Sequence, residues 1–178
     1  MIQLLVFFFF LLSDSQPRYW ADYNPCCQQR ILESNKIANI VKTYVKEEWR
    51  LSDDNRTVLL LEELSQPQKD IDKKALYFYV LNSIILERQN DGAIGEVVVD
   101  YVYRAFRHDS FYVLYYLYTH QEYEESYMRE IAMYCYFSDY DVNRLRQEIE
   151  DTTRGRLPLS WLGAFFDRIG AYVERYKE

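Results

Sequence analysis

Residues 110–120 read SFYVLYYLYTH, and every position from Phe111 to Tyr118 is apolar or aromatic. The run sits inside residues 101–140, a window that holds eleven of the chain's eighteen tyrosines. Such a stretch has no polar face to offer water, which predicts an element that others pack around. Its limits are set by its flanks. His108-Asp109-Ser110 offers Asp109 or Ser110 as an N-cap. Thr119-His120-Gln121-Glu122 has the S/T-x-x-E form of a capping box, which would end this helix and begin another at once. The central helix is then about two turns long, too short to persist in water alone, so its neighbours must enclose it.

Outward from this post the chain reads as helices. Ile37, Ile40, Val41, Tyr44, Val45 and Trp49 recur at three- and four-residue steps within 28–51, which predicts an amphipathic helix. A short helix over 55–64 carries Val58, Leu61 and Leu64. Pro67 suits the first turn of the next, which runs to residue 88 with Ile71, Ala75, Phe78, Leu81, Ile84 and Ile85 inward. Leu76, Tyr77, Val80 and Leu86 widen its apolar arc, so it should touch neighbours on two sides. Asn90-Asp91-Gly92 signals a turn. Val97-Val98-Val99 favours a strand, but Ile94, Val98, Tyr101, Val102 and Ala105 keep helical spacing, and helix is the reading adopted for 93–107. After the capping box, Tyr123, Tyr127, Ile131, Tyr134 and Cys135 face inward. Ser138 or Asp139 caps a helix striped with Val142, Leu145 and Ile149. Gly155 stops it, and Pro158 opens the last, striped with Leu162, Phe165, Phe166, Ile169, Val173 and Tyr176. Gly163 and Gly170 share a face of it. The expected fold is all-α: a single-domain irregular bundle of seven or eight mostly antiparallel helices, with solenoid-like stacking as a lesser alternative. Five glycines and four prolines are too few for an all-β chain of 178 residues.

Residues 1–15 read as a cleavable signal peptide. Leu4 to Leu12 is an apolar run of nine residues, short of the roughly 20 needed to span a bilayer. Ser13 and Ser15 stand at −3 and −1 for cleavage before Gln16. No Lys or Arg precedes the run. Residues 16–27 form an irregular arm whose Trp20 and tyrosines need a docking place, and 28–178 form the helical domain. Export would place the protein in a secreted or periplasmic setting. There Cys135 could pair with Cys26 or Cys27, with a strained vicinal Cys26–Cys27 disulfide or three reduced, packed thiols as the alternatives. Asn55-Arg56-Thr57 fits the glycosylation sequon, which matters only in a eukaryotic secretory pathway.

The chemistry-bearing residues are sparse. The net charge is −7 and no run of Lys and Arg occurs, so a nucleic-acid binder is not expected. His108-Asp109 resembles the metal-binding dipeptide of HD-type phosphohydrolases, but those sites need further histidines and this chain has only His120 besides. His120 and Glu124 at i,i+4 make an ordinary surface pair, and no metal or cofactor is expected. No GxSxG, GxGxxG or Walker motif is present. The one enzymatic alternative is an extracytoplasmic glycan hydrolase with two carboxylates, Glu96 or Glu122 serving as acid. A carrier with an apolar pocket between helices is the other alternative. The favoured reading is binding through a Tyr-rich surface, because Tyr supplies large contact area at low entropic cost. Tyr103, Tyr118, Tyr136 and Tyr140 leave the apolar stripes and are the candidate exposed rings, with Arg104, Arg107 and Arg129 nearby. A protein, peptide or glycan would be the partner.

Overall fold

The computed structural model describes residues 17–52, 55–87, 92–153 and 155–178. The expected leader and the Asn90-Asp91 turn lie outside them. Nine α-helices and no strand occur among the described residues, one or two helices more than expected. The extra helix comes from the first amphipathic segment, which breaks in two. Asn24 caps helix α1 (Pro25–Glu33) by accepting the Cys27 N–H at 2.9 Å, with Pro25 at the first position. Ser34 then ends it, and its hydroxyl accepts the Lys36 N–H, offering the backbone a bond that competes with helix. Helix α2 (Asn39–Val45) follows and ends before Glu47, whose φ of 57° is left-handed. That reversal turns Trp49 back to donate its Nε1–H to Thr43 at 3.1 Å.

Helix α3 (Asn55–Ser65) buries Leu60, Leu61 and Leu64. Helix α4 (Ile71–Glu87) starts four residues beyond Pro67, because Asp70 caps it by accepting the N–H groups of Asp72 and Lys73. The broad apolar arc of α4 meets α1, α2 and α3 as well as a later helix, so the two-sided packing expected of it is present. Its ends are wetter than expected, with Ile71 and Leu86 exposed. Helix α5 (Gly92–His108) is helical in spite of its valines, and Val98, Val102 and Phe106 are fully buried. Asp109 caps α6 (Ser110–Thr119) through the Tyr112 N–H.

The capping box is not formed. Thr119 completes the last turn of α6 instead, and its hydroxyl donates back to the carbonyls of Tyr115 and Tyr116. A 3-10 turn (Gln121–Tyr123) separates it from α7 (Glu124–Phe137). Asp141, not Ser138 or Asp139, caps α8 (Val142–Thr153) by accepting the Asn143 N–H at 2.8 Å. Gly155, at φ 74°, turns the chain toward α9 (Leu159–Tyr176), which Pro158 precedes. Of the two glycines on α9, Gly163 lets the Arg146 guanidinium approach to within 3.0 Å of where a Cβ would stand, whereas Gly170 faces open space.

The centre of the bundle is therefore α7 and not α6. Helix α7 packs against α4, α5 and α9, burying Tyr127, Met128, Ile131, Ala132 and Cys135. Helix α6 touches α5 and α8 and buries only Tyr112, Val113, Leu114 and Leu117 among its apolar residues. Its aromatic density exceeds what its neighbours cover, and that surplus makes the site described below.

Helix α1 begins at Pro25, inside the expected arm of 16–27, and the residues before it dock on the bundle. A 3-10 turn (Trp20–Asp22) lies on α4. Tyr19 enters a nest of Phe78, Tyr112, Tyr116 and His120, with ring centroids 4.7–6.2 Å away. Two hydrogen bonds lock it: Tyr19 donates to the Tyr112 carbonyl at 2.9 Å, and Tyr112 donates to the Arg18 carbonyl. Burial holds both phenols far above their ordinary range, so both remain donors.

Candidate functional site

Helix α6 divides its rings between two faces. Tyr112, Val113, Leu114 and Leu117 point into the bundle. Phe111, Tyr115 and Tyr118, at i, i+4 and i+7, line up on the other side, and Tyr118 is 37% exposed. The link from α8 to α9 runs beside this stripe. Its Leu157 is buried, anchoring the link to the core. The Arg156 guanidinium lies 3.7 Å from the Phe111 ring centroid, a cation–π contact. Leu159 is 62% exposed. Trp161 meets the Tyr118 ring edge-on at 5.4 Å and stacks on the buried Phe165 at 5.4 Å. The result is an apolar, aromatic face with one guanidinium at its margin, held in place because Trp161 rests on a core residue.

The six residues expected to form one surface do not. Tyr103 is only 6% exposed and stacks face to face on Tyr134, with centroids 3.5 Å apart. Helix α5 packs on both α3 and α7, so a ring leaving one apolar stripe enters a second interface. Arg107 pairs with Glu148 at 2.6 Å, and Glu148 also accepts from Arg144 and the Tyr140 hydroxyl, each at 3.0 Å. These bonds, Arg107 first, hold the Glu148 carboxyl below its ordinary range. Arg107 thus ties α5 to α8, and Tyr140 ties the link before α8 to the same carboxylate. Arg104 pairs with Asp100 and lies over the Tyr101 ring. Tyr136 is exposed beside Phe137 and Tyr176, at the C-terminal end of α9. Trp161 and Tyr176 are fifteen residues apart on that helix, roughly 22 Å at 1.5 Å per residue. Tyr118 and Tyr136 accordingly belong to separate patches. Trp161, Leu159 and Arg156 were not among the expected site residues. Trp161 carried a signal, since it falls off the apolar stripe of α9.

The carboxylates whose ionisation is perturbed each face a cation. Burial works to raise Glu63, but hydrogen bonds from Tyr77 and Lys73 outweigh it and hold it low. Asp70 is lowered by Lys36 and Glu125 by Arg129. Glu124 is raised by burial and faces Arg168 at 3.0 Å. Glu122 is exposed on the 3-10 turn, and the Glu96 side chain lies outside the described residues. A groove between the C-terminal end of α3 and helices α4, α5 and α6 is lined by Leu64, Tyr77, Phe78 and Leu81 with Lys74, His108 and Asp109, and holds about 90 Å³. That is room for a few waters and well below the size of a drug-sized ligand pocket. Asp109 is occupied there by Lys74 and by the cap of α6. No group of three or more His, Cys, Asp or Glu among the described residues is placed to hold a metal ion.

The structure holds the three cysteines as free thiols, with Cys27 half-buried. Cys26 is exposed in the first turn of α1, whereas Cys135 is buried in α7 and burial pushes its thiol up to about 12. In the native protein at pH 8 a maleimide should modify Cys26 within minutes and leave Cys135 untouched until denaturant is added, as peptide mass mapping will show. Modification of Cys135 at the rate of Cys26 would contradict the packing of α7.

Comparison with protein-family models, with curated protein sequences and with solved structures finds no match, so the functional reading rests on these residues.

Proposed function

We propose that the protein acts by binding a peptide or glycan outside the cytoplasm, through the α6–α9 aromatic face of Phe111, Tyr115, Tyr118, Leu159 and Trp161. The observation that carries this reading is the exposure of Tyr118 and Leu159 beside a tryptophan already immobilised on Phe165. Rigid aromatic rings lose little entropy on contact, and Trp and Tyr are the residues enriched where binding energy concentrates. The location rests on the leader over 1–15. No helix among the described residues is long and apolar enough to cross a membrane.

Trp161 supplies its own reporter. With Trp20→Phe and Trp49→Phe it becomes the only tryptophan. Titration with soluble oligosaccharides and with proline- and tyrosine-containing peptides should give a saturable emission shift for at least one class, and Tyr118→Ala should abolish it. A shift that survives Tyr118→Ala, or a folded protein whose Trp161 emission answers to neither class, overturns the proposal.

A further inference from the structure

We infer that Asn55 is a site of N-linked glycosylation, and that it is modified before α3 folds. The inference rests on the export reading above and not on the aromatic face. Asn55-Arg56-Thr57 is the chain's single Asn-x-Ser/Thr triplet with a non-proline centre. Asn55 is the first residue of α3 and its side chain is exposed, so the folded protein has space for an attached oligosaccharide. Thr57 is placed differently. It is only 3% exposed, and its Oγ1 accepts the Ser52 N–H at 3.1 Å. Arg56, the residue between them, lies over the Trp49 ring at 4.7 Å. The triplet is thus fixed in the first turn of a helix, with its hydroxyl turned away from solvent. A transferase that must reach both the amide and the hydroxyl finds them together only on the unfolded chain.

The step is a group transfer without redox change. The Asn55 amide nitrogen attacks C1 of the reducing sugar in a polyprenyl-diphosphate-linked oligosaccharide. The C–N bond forms and the C1–O bond to the diphosphate breaks. The diphosphate leaves with that electron pair, and the amide proton is released. The product places a hydrophilic group at the start of α3, beside the turn where Trp49 folds back.

The test is expression of the full chain, with its own residues 1–15, in cultured eukaryotic secretory cells. The secreted protein should carry one oligosaccharide, shown by intact mass. An amide-cleaving glycosidase should remove it and leave aspartate at position 55, and Asn55→Gln should be secreted without any mass shift. Secretion of the wild-type chain at its polypeptide mass overturns the inference. Retention of the chain inside the cell overturns the export reading. A heterologous leader on residues 16–178 then decides the site, which stands if the exported protein is modified and falls if it is not. The timing has its own check: purified folded protein, given transferase and lipid-linked donor, should accept sugar only after denaturation. Equal acceptance by the folded protein overturns modification before folding.

Discussion

Replacing Tyr19 by alanine should lower the free energy of unfolding by roughly 3–4 kcal/mol, read by chemical denaturation of the wild type and variant. The size of the effect follows from the nest that receives the ring. Tyr19 is 7% exposed and touches Phe78 from α4, Tyr112 and Tyr116 from α6, and His120 from the link that follows. Truncation leaves those four rings around a void, removes the bond to the Tyr112 carbonyl, and loosens the return bond from Tyr112 to Arg18. For a chain of this size such a loss corresponds to a fall in Tm of about 10 °C. Tyr19→Phe keeps the ring and loses one hydrogen bond, so about 1 kcal/mol is expected. A loss below about 1 kcal/mol for the alanine variant would mean that the arm merely lies on the surface.

Tyr127→Ala should cost a similar or larger amount, about 4 kcal/mol, because the cavity opens in the middle of the bundle. Tyr127 is fully buried on α7, stacks on Phe78 at 6.2 Å, and donates its hydroxyl to the Asn82 side-chain carbonyl at 2.5 Å. Burial holds this phenol far above its ordinary range, so it stays protonated and remains a donor. The more telling variant is Tyr127→Phe. It preserves the ring but leaves the buried Asn82 carbonyl without its donor, and about 1–3 kcal/mol is expected. Equilibrium denaturation should therefore rank Tyr127→Phe as more costly than Tyr19→Phe, whose acceptor is a backbone carbonyl within a helix. The reverse order would contradict the assignment of α7 as the centre of the bundle.

Much of the architecture is legible in the residues. Periodicity alone locates α3, α4, α5 and α9, including α5, where three adjacent valines favour a strand. The inward set on α7 is legible too, in Tyr127, Ile131 and Cys135. What escapes sequence is the competition between local bonds. Ser34 and Glu47 break a stripe that is continuous on paper, and Thr119 turns its hydroxyl back to its own helix where a capping box is spelled out. The same limit governs the site. Distance from one apolar stripe marks a residue as outside that stripe and not as exposed. Tyr103 leaves one stripe and enters the α5–α7 interface, while Tyr118 leaves its stripe and reaches solvent. Phe111 and Tyr115 look like core within an unbroken apolar run, yet both are only partly buried. How far they are covered depends on how the 155–161 link crosses α6, and no local pattern encodes that.

Placing a photoreactive benzoylphenylalanine at position 118 or at position 136 separates the two exposed patches, whatever the chemistry of the ligand. Each variant is expressed in cells of its own source, irradiated there, and resolved by mass. The account expects a covalent adduct from position 118, suppressed when Trp161→Ala is added, and none from position 136. An adduct from position 136 alone, or no adduct from a folded protein at position 118, would contradict the claim that the aromatic face of α6 is where this protein binds.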